Sequence, residues 1–291
     1  MLVFFTDSDC DITPQMAKQY NMELISMPYI IDGKEIYPYV DWEQFDGHEF
    51  YQQLRNKVMP QTCALSPEDY KKYFEPHFAA GNDILYVHFS AAMTGTFNAM
   101  RLAIEELQQQ YPERKFYSID TKAITILSRL IVEEAAIMYN NGATAEQIVE
   151  WANTEVDKFA VYFYADDLSF FRRSGRVSNL AATMGNLIGI HPVLHMNREG
   201  KMQTLTKAQG RRKTIKRIVS YVEEYQQDIQ NHKVIVGHCD ALDLAKMLAD
   251  QLIERFGEGL NIEFVEVNPT TGSHCGPDTI GVAFHARERQ E

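Results

Sequence analysis

The chain has 291 residues, of which 45% are hydrophobic and 23% charged, a balance that excludes a disordered chain. Its formal net charge of −12 excludes broad nucleic-acid binding, because neutralising phosphates needs a basic face. The four cysteines (Cys10, Cys63, Cys239, Cys275) form no Cys-x-x-Cys pair, so neither a disulfide framework nor a zinc knuckle is expected.

The first apolar run, Leu2 to Phe5, is too short for a secretory signal and lacks a basic start, so it reads as a strand. Thr13-Pro14 opens a helix, with Thr13 as cap and proline in the first turn. Glu23 to Ile31 reads as a second strand ending at the turn Asp32-Gly33. Ser66-Pro67-Glu68-Asp69 is a helix start, with a serine cap and acids facing the helix dipole. Ile84 to Phe89 is a buried strand, Thr96 to Gln110 an amphipathic helix, and Lys115 to Ile119 a further strand. A helix from Lys122 to Asn140 stops at Asn141-Gly142, and another spans Ala145 to Thr154. This alternation predicts an N-terminal domain (1–156) built on a mostly parallel sheet covered by helices.

The second half (157–291) predicts an α/β domain with a mixed, partly antiparallel sheet. Ala160 to Ala165 is a strand, and His191 to Met196 and Met202 to Lys207 form a hairpin about Asn197-Arg198-Glu199-Gly200. Helices at Thr214 to Gln227 and Leu242 to Phe256 alternate with strands at Lys233 to His238, Asn261 to Val267 and Ile280 to His285. No stretch approaches the ~20 apolar residues of a membrane span. A cytoplasmic protein with reduced thiols is the expectation.

Three loops carry the polar chemistry, and each has a structural reading beside a functional one. Gln61 to Ser66 places Thr62 near a helix start, as a ligand-binding hydroxyl or one more turn residue. Phe89 to Thr96 joins a strand to a helix and supplies hydroxyls (Thr94, Thr96), Gly95 for close backbone approach and a helix N-terminus, the parts of an anion site or of a capped helix. No Gly-Lys-Ser/Thr follows, so a nucleotide loop is unsupported. Gly272 to Asp278 presents His274 among turn residues, where it handles protons, contacts an anion or is a surface histidine.

Asp7, Asp9 and Asp11 imitate a calcium loop, but Ile12 and Lys18 stand where glycine and glutamate belong, so no metal site is expected and the acids serve a turn and the next helix cap. Arg211, Arg212, Lys213, Lys216 and Arg217 form a basic cluster that reads as a solvated face or a docking patch for an acidic partner or anionic membrane surface. Leu168 to Ile190 contains Arg172, Arg173 and Arg176 about Gly175, then a nearly uncharged helical stretch. Leu180, Met184, Leu187 and Ile188 recur there at helical spacing, either as a core helix or as the wall of a pocket for an amphiphile.

Taken in order, these segments resemble the DegV family. Its motifs are matched by Asp7-Ser8-Asp9-Cys10-Asp11, Thr62 to Ser66, Ala91 to Thr96, Ser174-Gly175-Arg176-Val177 and His274-Cys275-Gly276-Pro277-Asp278. The resemblance implies a two-domain α/β fold enclosing one long-chain fatty acid, with Thr62 and Thr94 on its carboxylate and Gly95, Thr96, Arg176 and His274 at the same end. It also implies a separate fatty-acid kinase catalytic subunit as partner, to which the carboxylate is presented for acyl-phosphate formation. The chain departs from the pattern at Ala91, Thr94, Asp278 and Cys63-Ala64-Leu65. A self-sufficient lipid hydrolase or phosphotransferase using Thr94 or Ser90 with His274 lacks a nucleophile motif. A lipid-dependent regulatory module is the third alternative. No catalytic residue, cofactor or metal is assigned.

Overall fold

The computed structural model describes residues 1–178 and 189–291, with the side chains at 177 and 178 outside that description. β1 (Leu2–Asp7) opens the chain, and Thr13 caps α1 (Pro14–Gln19), its hydroxyl accepting from the Met16 N–H at 3.3 Å. The stretch read as one strand from Glu23 to Ile31 is two, β2 (Met22–Ile25) and β3 (Tyr29–Ile31). Pro28 lies in the break, where the missing N–H cannot serve a ladder. β3 turns at Asp32-Gly33 into β4 (Lys34–Ile36), and after α2 (Gly47–Arg55) the short β5 (Gln61–Thr62) pairs with the other edge of β3. β4 and β5 had no periodic signature, because two or three residues are too few for a period to register.

α3 (Pro67–Ala79) begins as its sequence predicts. Ser66 Oγ accepts from the Asp69 N–H at 3.2 Å, and the Ser66 N–H donates to the Asp69 carboxylate at 3.1 Å, a reciprocal cap. Then come β6 (Asp83–His88), α4 (Thr96–Gln110), β7 (Phe116–Asp120), α5 (Thr125–Asn140) and α6 (Ala145–Glu155). The four strands β2-β1-β6-β7 form one wholly parallel sheet.

The rest of the chain builds a seven-stranded mixed sheet. Its elements are β8 (Phe159–Tyr164), α7 (Ser169–Ser174), β9 (Val177–Ser178), β10 (Ile190–Met196), β11 (Met202–Gln209) and α8 (Arg211–Tyr225). β12 (Lys233–His238), α9 (Leu242–Phe256), β13 (Asn261–Glu266), α10 (Pro269–Cys275) and β14 (Ile280–His285) complete it. The strand order is β13-β12-β14-β8-β10-β11-β9, and β10 and β11 are the expected antiparallel hairpin. One expectation is corrected here. Residues 272–275, read as part of a turn, belong to the helix α10, because Asn268 caps Pro269 and its side chain accepts from the Thr271 N–H at 2.9 Å.

α5 is the hinge of the packing. Ten of its sixteen residues are buried, and it touches β1 and β6 of one sheet and β8, β12 and β14 of the other. A helix apolar nearly all round must be covered on several sides. Each fully buried isoleucine or leucine in it is worth roughly 1.5–3 kcal/mol. Its buried polar residues are paired. Arg129 bonds Glu133 at 3.0 Å and also Glu263, while Lys233 joins Glu133 at 2.5 Å and Glu263 at 3.1 Å. Among the described residues, no helix is long and apolar enough to cross a membrane.

Candidate functional site

The carboxyl end of the parallel sheet and α10 meet around a small polar compartment. Thr62, Thr94, Thr96, Arg176 and His274 all line it, together with Asp9, Cys63, Thr270, Thr271 and the apolar Met27, Phe89, Met93 and Ile124. Five of the six residues singled out as the polar site thus converge from segments spread over more than two hundred positions. The sixth, Gly95, is exposed and stands at the N-cap of α4 beside them.

Thr62 is placed by the β5 ladder, opposite Tyr29. Its hydroxyl lies 3.0 Å from His274 Nε2. Burial, and then the charges of Arg176 and Arg173, push the His274 pKa down to about 4, so the imidazole is neutral near pH 7. This revises the reading of His274 as a surface histidine among turn residues. It is half-buried, uncharged and tied to Thr62. If Nε2 carries the proton, Thr62 accepts from it and keeps its own O–H free to donate.

Thr94 ends a short 3-10 turn (Ala91–Met93), and its hydroxyl accepts from the Thr96 N–H at 3.2 Å. Thr96 itself is buried and braced. Its hydroxyl accepts from the Leu65 N–H at 3.1 Å and shares a bond with the Tyr70 hydroxyl at 3.0 Å, tying the Thr62 loop to the Thr94 loop. Ser90 anchors that loop from behind by donating to the Gly200 carbonyl at 2.8 Å. Gly200 has φ +76°, and a Cβ there would lie 2.2 Å from Ser90 Oγ, so only glycine fits.

Arg176 follows Gly175, whose left-handed φ of +66° ends α7. Its side chain is exposed, and it bonds the Ser174 carbonyl while lining the compartment. Arg173 donates to the Ser273 carbonyl at 3.1 Å, fastening α7 to α10. Gly276 lets the two approach, since a Cβ on it would lie 2.4 Å from the Phe170 ring. Asp278, which stands where the resembled motif has glycine, adopts φ +60°, a conformation aspartate tolerates better than most residues. Its carboxylate is used, accepting from Arg55 at 2.9 Å.

The three early aspartates are not solvated turn acids. Asp7 accepts from the Asp9 N–H at 3.0 Å, the Tyr86 hydroxyl at 3.0 Å and the Phe89 N–H at 3.2 Å, and burial lifts its pKa to about 7. Asp11 accepts from Asn268 N and Nδ2 at 2.9 and 2.8 Å, and burial lifts it to about 6. Burial and its two acidic neighbours raise the Asp9 pKa well above the usual carboxylate range, and Asp9 lines the compartment. One Asp9 oxygen and the Thr271 hydroxyl are buried with no hydrogen-bond partner among the described residues. The sequence reading missed both as site residues. The Asn268-Pro269-Thr270-Thr271 run, a cap followed by hydroxyls, was the available signal.

Behind this compartment lies an apolar cavity lined by Ile124, Ile126, Val161, Phe163, Met196, Met202, Val267, Ile280 and their neighbours. Ile124 and Thr271 border both spaces, so the polar and apolar compartments are neighbours that share a wall. The cavity draws on α5 from one half and on β8, β10, β11 and β14 from the other. The residues expected to form the acyl-chain wall, Leu180, Met184, Leu187 and Ile188, lie outside the described residues.

The basic cluster is partly neutralised. Arg211 pairs with Asp166 and approaches Asp278 at 3.9 Å, and Arg217 lies over the Tyr221 ring at 5.1 Å. Arg212, Lys213 and Lys216 are exposed on α8.

An α/β chain with a parallel sheet and a mixed sheet of this order has known counterparts. The profile described as "Uncharacterised protein, DegV family" matches residues 2–287. A DegV domain-containing protein of Clostridium perfringens is 31% identical over 283 residues, covering 97% of this chain and 96% of its own. The chain belongs to the DegV family. Among solved structures, a fatty-acid-binding DegV family protein from Thermus thermophilus superposes with a TM-score of 0.85 at 22% identity, covering 98% of this chain and 99% of that one. A stearic acid-binding protein from Eubacterium ventriosum gives a TM-score of 0.85 at 21% identity, covering 97% of each chain.

Proposed function

We propose that this protein binds one long-chain fatty acid, with its carboxylate in the polar compartment and its acyl chain in the apolar cavity. The observation that carries the reading is the shared border at Ile124 and Thr271, where a hydroxyl-lined space adjoins an apolar one. An amphiphile suits such a pair of spaces better than a sugar or a nucleotide. Buried methylenes contribute about 0.8 kcal/mol each, so the chain supplies affinity and the polar end fixes direction. Thr62 and Thr94 donate to the carboxylate. Arg176 balances its charge from the rim, neutral His274 adds no buried cation, and burial favours the uncharged form of Asp9. Thr96 and Gly95 hold the Thr94 loop and the start of α4 in place. The segment containing Leu180, Met184, Leu187 and Ile188 covers the acyl chain in this reading. The halves 1–156 and 157–291 act as two domains with the ligand between them.

The same reading extends to a partner. With Arg176 exposed at the polar end, the carboxylate lies near the surface, where a separate fatty-acid kinase can reach it and form the acyl phosphate in the cytoplasm. The exposed basic residues of α8 suit transient contact with an anionic membrane surface during loading and release. The protein itself performs no chemistry on the lipid.

The deciding experiment is mass spectrometry of the lipid released on denaturing the protein purified from a bacterial host, followed by titration of delipidated protein with oleate and palmitate. One fatty acid per chain is expected. No co-purified lipid together with no binding of either added acid would overturn the proposal.

A further inference from the structure

Away from the cavity, three potential metal ligands meet where α5 crosses the end of the mixed sheet. Glu134 on α5, His232 just before β12 and His285 at the end of β14 each place a ligand atom within 4.8 Å of the others. All three are half-buried. Glu134 Oε1 is hydrogen-bonded to His285 Nε2. The two imidazoles stack with centroids 3.8 Å apart and planes at 16°, and the Phe159 ring backs His285 at 4.3 Å. None of the three lines either compartment of the cavity.

We propose that Glu134, His232 and His285 bind one divalent transition-metal ion of the zinc type. Two imidazole nitrogens and one carboxylate oxygen make a three-ligand set that leaves a fourth tetrahedral position to water. The nitrogens exclude the harder calcium and magnesium ions, which take oxygen ligands. The adjacent cation, Lys233, does not compete for Glu134, because Glu133 and Glu263 hold it at 2.5 and 3.1 Å.

The geometry requires a modest adjustment. Zinc arms of roughly 2.0–2.1 Å set tetrahedral donor atoms about 3.4 Å apart, so no pair here, all within 4.8 Å, has to close by more than about 1.4 Å. His285 is held by Phe159 and by its strand. His232 therefore moves, leaving its stack by rotation about its own side-chain torsions. The ion would fasten α5 to the neighbouring strands β12 and β14, which already pair antiparallel. That makes the site a structural clamp, with consequences for stability rather than for lipid binding.

The test uses the full chain stripped with a chelator and titrated with Zn2+ by calorimetry, with thermal unfolding followed in parallel. One Zn2+ per chain and a higher Tm are expected. His232→Asn and Glu134→Gln should each weaken binding by at least about tenfold, the loss seen even for outer-shell partners, and remove the Tm gain. His48→Asn, at an exposed position on α2, should change neither. Absence of Zn2+ binding by the wild type overturns the proposal, and so does His232→Asn binding as tightly as wild type. If Glu134→Gln does not fold, the His232→Asn variant, at a position outside the regular strands and helices, decides the matter alone.

Discussion

The two ends of the cavity are built from different materials. The polar end is made of loops and helix starts at the carboxyl edge of the parallel sheet, where Thr62, Thr94, Arg176 and His274 arrive from four separate segments. The apolar end is made from the interiors of regular elements, with Val161 and Phe163 alternating along β8 and Ile124 and Ile126 at the start of α5. At the first, position depends on hydrogen bonds such as Thr62–His274 and Leu65–Thr96. At the second it depends on packing alone. The difference predicts that substitutions at the apolar end act through shape and those at the polar end through donors and charge.

The largest effect should come from Ile124, which borders both. Ile124→Trp adds bulk at the border of the two compartments; if one ligand spans both, the fatty acid content of the purified protein should fall to near zero with the fold retained by circular dichroism. Wild-type lipid content in a folded Ile124→Trp protein would mean that the two spaces do not hold one ligand.

Next in size are the hydroxyls. Thr62→Val and Thr94→Val each remove a donor to a buried charged group, an interaction worth roughly 1.5–3 kcal/mol, or about ten- to more than a hundredfold in Kd. Thr94→Ser keeps the donor and should bind as wild type. A double valine variant with unchanged affinity for oleate would place the carboxylate elsewhere.

This contrast also explains what was legible in the sequence. The polar residues stood out because turns and caps use distinctive residues, so Ser66, Thr94, Gly175 and His274 could be marked without a structure. Long strands and helices were equally readable, and Lys233–His238, Leu242–Phe256 and Ile280–His285 fall where periodicity puts them. The cavity wall was not readable. Val161, Met196 and Met202 have the same composition and spacing as ordinary core residues, and only the tertiary arrangement leaves space beside them. The short β5 and α10 escaped for another reason. β5 is fixed by its pairing with β3, and the Asn268 side chain that caps α10 is itself held by Asp11, contacts that are remote in sequence.

The acidic cluster behind the polar end offers a smaller, pH-dependent effect. Asp7 has a folded pKa of about 7 against an ordinary value of 3.8, because it is buried. Between those values the folded chain keeps a proton that the unfolded chain has released, so this group makes stability fall as pH rises through that window. His274 and His195, both lowered to about 4 by burial, act in the opposite sense between pH 4 and 6.5. Comparing Asp7→Asn with wild type cancels the histidines. The Tm of Asp7→Asn relative to wild type should climb by a few degrees between pH 5 and pH 8. A difference in Tm that stays flat with pH would show that Asp7 is ionised throughout.

The smallest effect on binding should belong to the rim. Arg176 is exposed, and an ion pair in contact with water contributes about 1 kcal/mol or less, so Arg176→Ala should weaken fatty-acid binding by no more than about fivefold. Its effect on phosphoryl transfer should be far larger if the protein presents its ligand to a kinase. Charge develops on the acyl phosphate at the polar end, and a positioned guanidinium there stabilises the transition state more than the ground state. His274→Ala differs in kind. The imidazole is neutral, so its removal withdraws no charge but frees Thr62, and the loss should be partly restored by His274→Asn, whose amide can donate to the same hydroxyl. The measurement is acyl-phosphate formation with a reconstituted kinase, set beside the lipid content of each variant. Full turnover by Arg176→Ala would remove the rim from the chemistry, and an empty pocket would reassign Arg176 to the binding of the carboxylate itself.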